Sequence, residues 1–393
     1  MPRALNDWIR NFELYTDNTE PPVLYRTWAA VSTIAAALQR KCCLPWGSLT
    51  FYPNFYIILV GPPAARKGTA MGPAQDFLYD LDIKMASEAI TREALIRELK
   101  NANDNIIDPS TGTVSYHSSL TVFSPELTVF LGYNNPQLLS DLTDWFDCRK
   151  RWVYRTKTQG TDEIFGVFVN IFGATTPDLI RATMPLDAIG GGLTSRMIFV
   201  YEEGQGKIVP APFFSPSERI LRDKLQEDLE RIYLLRGEFR PTEEFLEVWI
   251  DWYTKQGENP PFHDKRFDGY LARRPMHLIK LSMILNASRT DNMILESCDL
   301  ENALHLLERT EIKMPKTFAG VGASSTGGIL AQVMAEIGNR KIMTFSELLM
   351  LFHQDVDKRT LEAMIETLES MRFAKRSYSG GPEGEITIKY IKE

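Results

Sequence analysis

The sequence predicts an α/β fold with a helical N-terminal region, a helical segment after the sheet and a small C-terminal domain. Three observations carry this. Tyr56–Val60 is an unbroken apolar run, the pattern of a strand buried on both faces, and it leads into a glycine-containing loop. From there to Tyr201 apolar strands alternate with helical stretches, as a sheet covered by helices requires. From Ser215 to Met314 the periodicity is helical, and a Gly/Ser/Thr-rich stretch, 317–328, then separates off the last 65 or so residues, a common domain boundary. The expected organisation is a helical region over 1–48, an α/β core over 49–214, a helical lid over 215–316, a linker over 317–328 and a C-terminal domain over 329–393.

The N-terminal region reads as two helices, Asn6–Tyr15 and Val23–Arg40, split by the turn-rich Asp17–Pro22. The second is Ala-rich and anchored by Tyr25 and Trp28. Leu49–Tyr52 is a short strand or hairpin arm. After Val60 the chain reads Gly61-Pro-Pro-Ala-Ala-Arg-Lys-Gly-Thr69, with a helix expected to start near Ala70. Strand, loop, lysine, hydroxyl and helix form a phosphate-binding layout: loop N–H groups and the helix N-terminus cradle polyphosphate, and Lys67 neutralises its outer charge. The candidate contacts are Gly61, Pro62, Arg66, Lys67, Gly68, Thr69 and Ala70. Two features depart from the usual G-x-x-x-x-G-K-[ST]. Arg66 replaces the second glycine, so its side chain either points away from the nucleotide or adds a phosphate partner. Gly68 delays the hydroxyl by one residue, an ending similar to the P-loops of nucleoside-monophosphate kinases. A small-molecule kinase would leave the C-terminal domain idle, and no Arg-rich phosphoryl lid is visible.

Leu120–Phe123 is a short apolar strand running into Ser124-Pro-Glu126. An ATPase needs a strand beside the first that ends in acidic groups, to hold Mg²⁺ and to polarise the attacking water. Ser124 stands where Asp is usual, which leaves Glu126 as candidate base and, with Thr69, as metal ligand. Val167–Phe172 is a third strand, placed between the first two, with Thr175 the candidate sensor of the γ-phosphate and Asn170 and Thr176 its rivals. The flexible Gly190-Gly-Gly-Leu-Thr-Ser-Arg196 precedes the strand Met197–Tyr201 and suits delivery of an arginine finger. Between Glu126 and the third strand lie Arg149, Lys150, Arg151, Arg155 and Lys157, interleaved with Trp152 and Tyr154. A hairpin over 152–165 with Lys157 near its tip would track a nucleic-acid strand by charge and stacking.

In the C-terminal domain three helices are expected: Ile329–Ile337, Thr344–Phe352 with Thr344 as N-cap three residues before Glu347, and Asp357–Met371. A hairpin, Phe373–Tyr378 with Glu385–Ile391, completes the pattern of a winged helix. The third helix carries Glu362, Glu366 and Glu369, which disfavours phosphate, so Lys375 and Arg376 in the hairpin are its nucleic-acid candidates.

A net charge of −7 argues against a globally basic nucleic-acid coat protein and leaves room for a local basic surface. Cys42, Cys43, Cys148 and Cys298 form no C-x-x-C pair, so they suggest neither a zinc ribbon nor a disulfide framework. The opening Met-Pro-Arg-Ala-Leu-Asn-Asp has no signal-peptide pattern, and the apolar stretch near Trp28–Leu38 is too short to span a bilayer. A cytoplasmic location is expected, in the host cytoplasm for a phage-encoded protein, with no membrane partner.

Together, the loop Gly61–Thr69, Leu120–Glu126, Val167–Thr176 and Arg196 resemble the AAA+ P-loop ATPases over roughly residues 20–314. The hairpin before the third strand is similar to that of the pre-sensor-1 hairpin helicases, which include the superfamily 3 viral helicases and the MCM helicases. Gly-Ala-Thr-Thr-Pro and Gly-Gly-Gly-Leu-Thr-Ser-Arg are similar to phrases in the helicase-like ATPases of phages and prophages. The resemblance implies ATP and Mg²⁺ as cofactors and a homo-oligomeric ring, a hexamer, with ATP at subunit interfaces and Arg196 acting in trans. It also implies a lid in which Arg273 or Arg274 senses nucleotide. The implied function is an ATP-driven helicase or translocase on single-stranded or forked DNA, beside a primase or polymerase. The alternative is an ATP-dependent loader or initiator acting through its winged helix.

Overall fold

The computed structural model describes residues 3–107, 112, 114–132, 135–156, 160–183, 191–318, 325–378 and 386–391. The chain divides into two compact units, Met1–Ala319 and Gly320–Glu393. The helical N-terminal region, the α/β core and the helical segment after it all fall within the first.

Helix α1 (Trp8–Tyr15) starts at Asp7, whose carboxylate accepts from the Arg10 N–H. Its Trp8 and Phe12 rings pack on Phe77. Helix α2 (Val23–Leu38) is buried at every position from Leu24 onward. An element apolar on all sides belongs in a core, and α2 packs against both the central sheet and the surrounding helices. A 3-10 turn, Gln39–Lys41, ends it. Strands β1 (Cys42–Trp46) and β2 (Leu49–Phe51) then form a small antiparallel pair.

The central sheet follows. β3 (Tyr56–Val60) is buried throughout and leads through the loop into α3 (Lys67–Asp80). Next come β4 (Met85–Ala86), α4 (Arg92–Asn101), β5 (Asn103–Ile107) and β6 (Val114–Ser124), then α5 (Leu127–Leu131) and α6 (Pro136–Phe146). β7 (Arg151–Thr156) and β8 (Gly160–Phe165) form a separate antiparallel hairpin. β9 (Val167–Thr175), α7 (Pro177–Thr183) and β10 (Met197–Tyr201) complete the layer. The strand order is β10-β3-β9-β6-β4, all parallel, with β5 antiparallel on the first half of β6. Every residue of β9 is buried, as expected for a central parallel strand. β9 therefore lies between β3 and β6, and β6 is one strand removed from β3 rather than beside it.

Helices α8 (Pro216–Leu234), α9 (Glu243–Lys255), α10 (Asp268–Arg289) and α11 (Ser297–Glu311) finish the first unit, joined by short pairings of β11 (Gly237–Glu238) with β1 and of β12 (Arg240–Pro241) with β13 (Ile294–Leu295). Among the described residues no helix is long and apolar enough to cross a membrane.

In the second unit α12 (Ser325–Arg340) begins four residues earlier than expected, so 325–328 is helical rather than linker. β14 (Ile342–Thr344) leads into α13 (Phe345–Phe352), where Thr344 and Glu347 form a reciprocal cap. α14 (Lys358–Ser370) precedes β15 (Ala374–Tyr378) and β16 (Ile386–Tyr390), and the three strands pair in the order β14-β16-β15. Val333, Ile337, Leu348, Leu361, Ile365 and Ile388 form its core.

Candidate functional site

The C-terminal ends of β3, β9 and β6 converge on one edge of the sheet, because Val60 is in register with Thr175, and Ser124 with Gly173. Open parallel sheets bind ligands at this edge. The loop after Val60 is held from behind. The Tyr25 hydroxyl donates to the Val60 carbonyl at 2.6 Å, and the Glu202 N–H donates to the same oxygen at 3.0 Å. A Cβ at Gly61 would sit 2.5 Å from the Tyr25 hydroxyl and 2.6 Å from the Glu202 carbonyl oxygen, so only glycine fits there.

The helix starts at Lys67, not near Ala70. The preceding Arg66 adopts φ 60° and ψ 28°, a left-handed turn that swings the chain into the helix. That backbone explains why glycine is usual at this position: it takes the conformation without cost, whereas arginine does not. The Arg66 side chain points to the N-terminal region, where its Nε lies 2.6 Å from the Glu20 carboxylate.

Lys67 Nζ donates to the carbonyls of Gly61 (2.7 Å) and Pro62 (2.9 Å), arching across the loop. Burial lowers its pKa below the ordinary lysine range, and the Glu126 carboxylate partly offsets this. The two groups therefore share one electrostatic environment. The first turn of α3 has no acidic residue and no side-chain cap, so its leading N–H groups are unclaimed by carboxylates. A Cβ built on Gly68 would meet nothing within 4 Å beyond its chain neighbours and the helix's own backbone. Packing does not demand glycine there, and the space before the helix is open. Thr69 is exposed in the same turn and Ala70 is buried beneath it.

Glu126 is exposed and stands at the N-cap of the short α5, two residues beyond the buried end of β6 at Ser124. Thr175 ends β9 at 1% exposure, its hydroxyl making one long contact with the Thr176 carbonyl, at 3.5 Å. Its rivals are engaged elsewhere. Asn170 is fully buried, accepting from the Phe55 N–H and donating to Ser32, and Thr176 caps α7 through the Leu179 N–H.

Arg196, expected to act in trans, and the lid arginines Arg273 and Arg274 lie away from this chain's own loop. Arg196 is buried, with an N–H 2.7 Å from the Asp147 carboxylate and another donating to the Gly192 carbonyl. It immediately precedes Met197, which pairs with Tyr56 at the start of β3, so it sits at the opposite edge of the sheet from the loop. Within this chain it is an anchored side chain, not a projecting finger. Arg273 donates to Ser195 Oγ at that same edge. Arg274 is locked in a buried pair with Glu311, at 2.7 and 2.8 Å. Neither is presented to the loop as a sensor.

The β7–β8 hairpin is present, and Lys157 at its turn lies outside the described residues. Two of its basic residues are matched, Arg149 by Asp144 and Arg151 by Glu163, and its Asp162 is taken by Lys100 of α4; Lys150 is exposed. Arg155 is exposed and, among the described residues, donates to the Thr161 hydroxyl. Trp152 is buried edge-on against Trp145, and Tyr154 stacks on it under the Arg92 guanidinium. These rings stiffen the hairpin rather than offering faces for bases. In the second unit Arg376 is held by Glu369 and Glu366. Lys375 is exposed directly across from Lys389, a like-charge pair that an anion would relieve.

Among the described residues, the one cluster of potential metal ligands is Glu296, Cys298 and Asp299, away from Thr69 and Glu126, and Asp299 is already bonded to Arg289 and Asn286. Sequence reasoning missed Glu20, the partner of Arg66, and the backing role of Tyr25, although it marked Tyr25 as an aromatic anchor. A comparison with models of known protein families gives no match, and a comparison with curated proteins gives none.

Proposed function

We propose that this chain is a P-loop ATPase of the AAA+ type that works on DNA. One observation carries the reading: β9 is inserted between the loop strand β3 and the strand β6 that leads to Glu126, and all three end on one edge. That order supports the reading, because a polyphosphate site needs a lysine, an acid and a strand-tip hydroxyl at one edge.

The roles follow from position. The N–H groups at the start of α3, with Lys67, take the phosphates of ATP. Gly68 leaves the approach open. Glu126 orients and deprotonates the attacking water, and Thr175 reports the outer phosphate. Thr69 and Glu126 fit a Mg²⁺ ion in chemical type, an exposed hydroxyl and a carboxylate; bound there, Mg²⁺ supplies neutralisation of phosphate charge. Arg66 helps hold the loop through Glu20 and is not a phosphate ligand.

The biological function we propose is a ring-forming, hexameric helicase or translocase for phage or mobile-element DNA, acting with a primase or polymerase. The β7–β8 hairpin, which immediately precedes β9, would contact the strand through Arg155 and Lys157. The three helices and three-stranded sheet of the second unit support a winged-helix reading, with the exposed Lys375 as its nucleic-acid contact.

A specific observation also favours the loader alternative. The hairpin's other arginines are neutralised by acids, and the third C-terminal helix is acidic, which suits a protein partner better than phosphate. Strand separation by the purified protein decides between them. Unwinding of a forked duplex that requires ATP and is lost in Lys67→Ala supports the helicase; ATP turnover with no unwinding supports the loader.

A further inference from the structure

The edge of the sheet opposite the phosphate loop carries a cleft of about 740 Å³. It is bounded by the 3-10 turn after α2, the β5–β6 pair, the feet of the β7–β8 hairpin and the segment around β11. Five cations line it, Arg40, Lys41, Lys150, Arg236 and Arg240, against one carboxylate, Glu238. In a chain of net charge −7 this local excess is a marked reversal.

Two of the five are committed to the fold. Arg40 donates to the carbonyls of Cys148 and Val167 and stacks over Tyr52, and Lys41 donates to the Tyr233 carbonyl. The other three, Lys150, Arg236 and Arg240, are exposed and make no ion pair with any described residue. Burial is the main cause that brings Lys41 down to about 8; the Arg236 guanidinium lowers it further, while Cys42 and the Asp104 carboxylate raise it. Tyr116 presents an exposed ring on the β6 wall, 59% accessible. The cleft runs directly to the hairpin, because Lys150 and Gly166 are its two feet: the Gly166 N–H donates to the Lys150 carbonyl at 2.8 Å. Gly166 has φ 58°, and a Cβ there would come 2.5 Å from the Tyr116 carbonyl oxygen, so the junction is held tight.

We propose that this cleft is a second nucleic-acid site, which takes the sugar–phosphate backbone of a single strand on Lys150, Arg236 and Arg240, with a base against Tyr116, and feeds it to the β7–β8 hairpin. A single strand suits this lining, because unpaired cations attract its phosphates and an exposed aromatic face stacks on any unpaired base. The proposal rests on the reading of the chain as a DNA-binding ATPase, but uses none of the residues of the phosphate loop.

The test is binding of a fluorescein-labelled oligothymidylate, by anisotropy over a series of salt concentrations. It compares wild type, the triple variant Lys150→Ala/Arg236→Ala/Arg240→Ala, and Lys67→Ala. The three substituted side chains are exposed, and circular dichroism checks that the variants fold. The triple variant is expected to bind roughly tenfold or more weakly, with the slope of log affinity against log salt reduced by about 2, as loss of three phosphate contacts to a single strand requires. Lys67→Ala is expected to bind the oligonucleotide like wild type while losing ATP turnover, so a failure of the ATPase reading shows separately. Equal oligonucleotide affinity in wild type and the triple variant overturns the proposal. So does the absence of oligonucleotide binding in wild type. A cleft that binds labelled thymidine triphosphate in the Lys67→Ala background, loses it on triple substitution and ignores the oligonucleotide is a mononucleotide site, which overturns the strand assignment.

Discussion

Arg66 and Gly61 show how single positions decide the loop. Gly61 is enclosed by Tyr25 and the Glu202 carbonyl, so Gly61→Ala must push apart the end of β3 and its supports. We expect a loss of about 1–3 kcal/mol in urea denaturation, the range for overpacking a filled site, together with weakened nucleotide binding. Arg66→Gly is expected to behave oppositely. It relieves a left-handed arginine but removes the half-exposed pair with Glu20. A strain relief of about 1 kcal/mol against a surface pair worth roughly 0–1 kcal/mol leaves stability almost unchanged, and nucleotide affinity should be retained. A large loss of affinity in Arg66→Gly would mean that the guanidinium contacts phosphate after all. The pattern of Gly61, Lys67 and Thr69 was legible because the loop is local: its residues are contiguous, and backbone geometry dictates their types. The direction of the Arg66 side chain was not legible, since its partner Glu20 lies 46 residues earlier and meets it only through the fold.

At the scale of elements, the long apolar runs gave β3, β9 and β10 close to their observed limits. β6 was seen only as its apolar end, Leu120–Phe123. Its first half, Val114–Ser119, is polar because it pairs with β5 at the sheet margin and faces water on part of its length. The direction of the Arg196 side chain was hidden for a related reason. A glycine-rich stretch delivering an arginine looks the same in sequence whether the side chain projects or turns inward. Here it turns inward to Asp147, with its guanidinium side chain 7% exposed. Asp147→Ala is therefore expected to cost about 2 kcal/mol by denaturation, below the ~3–5 kcal/mol for breaking a fully enclosed pair, since water reaches the carboxylate side. If Asp147→Ala leaves stability unchanged, the pair is not an anchor, and Arg196 is free for a role between subunits.

At the scale of the whole molecule, the two units should respond differently to acid. His117 and His277 are buried in the first unit, and burial is the main cause that lowers them, to about 4 and about 3. A histidine whose folded pKa lies below its unfolded value near 6.5 contributes stability that is complete above pH 6.5 and is lost as pH falls toward the folded value. Between pH 6.5 and 5 each should cost the first unit roughly 2 kcal/mol. Urea denaturation followed by tryptophan fluorescence is a direct readout of the first unit, because the chain's tryptophans, Trp8 to Trp252, all lie in it. The drop should shrink in His117→Gln. An equal drop in that variant would remove His117 from the account.

The central claim is that ATP is hydrolysed at the edge formed by Lys67, Glu126 and Thr175. ATP turnover by the purified protein, with and without single-stranded DNA, tests it most directly when wild type is set beside Lys67→Ala and Glu126→Gln. The account predicts turnover that DNA stimulates. Lys67→Ala should lose both nucleotide binding and turnover, and Glu126→Gln should keep binding while turnover falls by about a hundredfold or more, the scale of removing a general base. Turnover undiminished in Lys67→Ala, or a wild-type protein that binds no nucleotide, would contradict it.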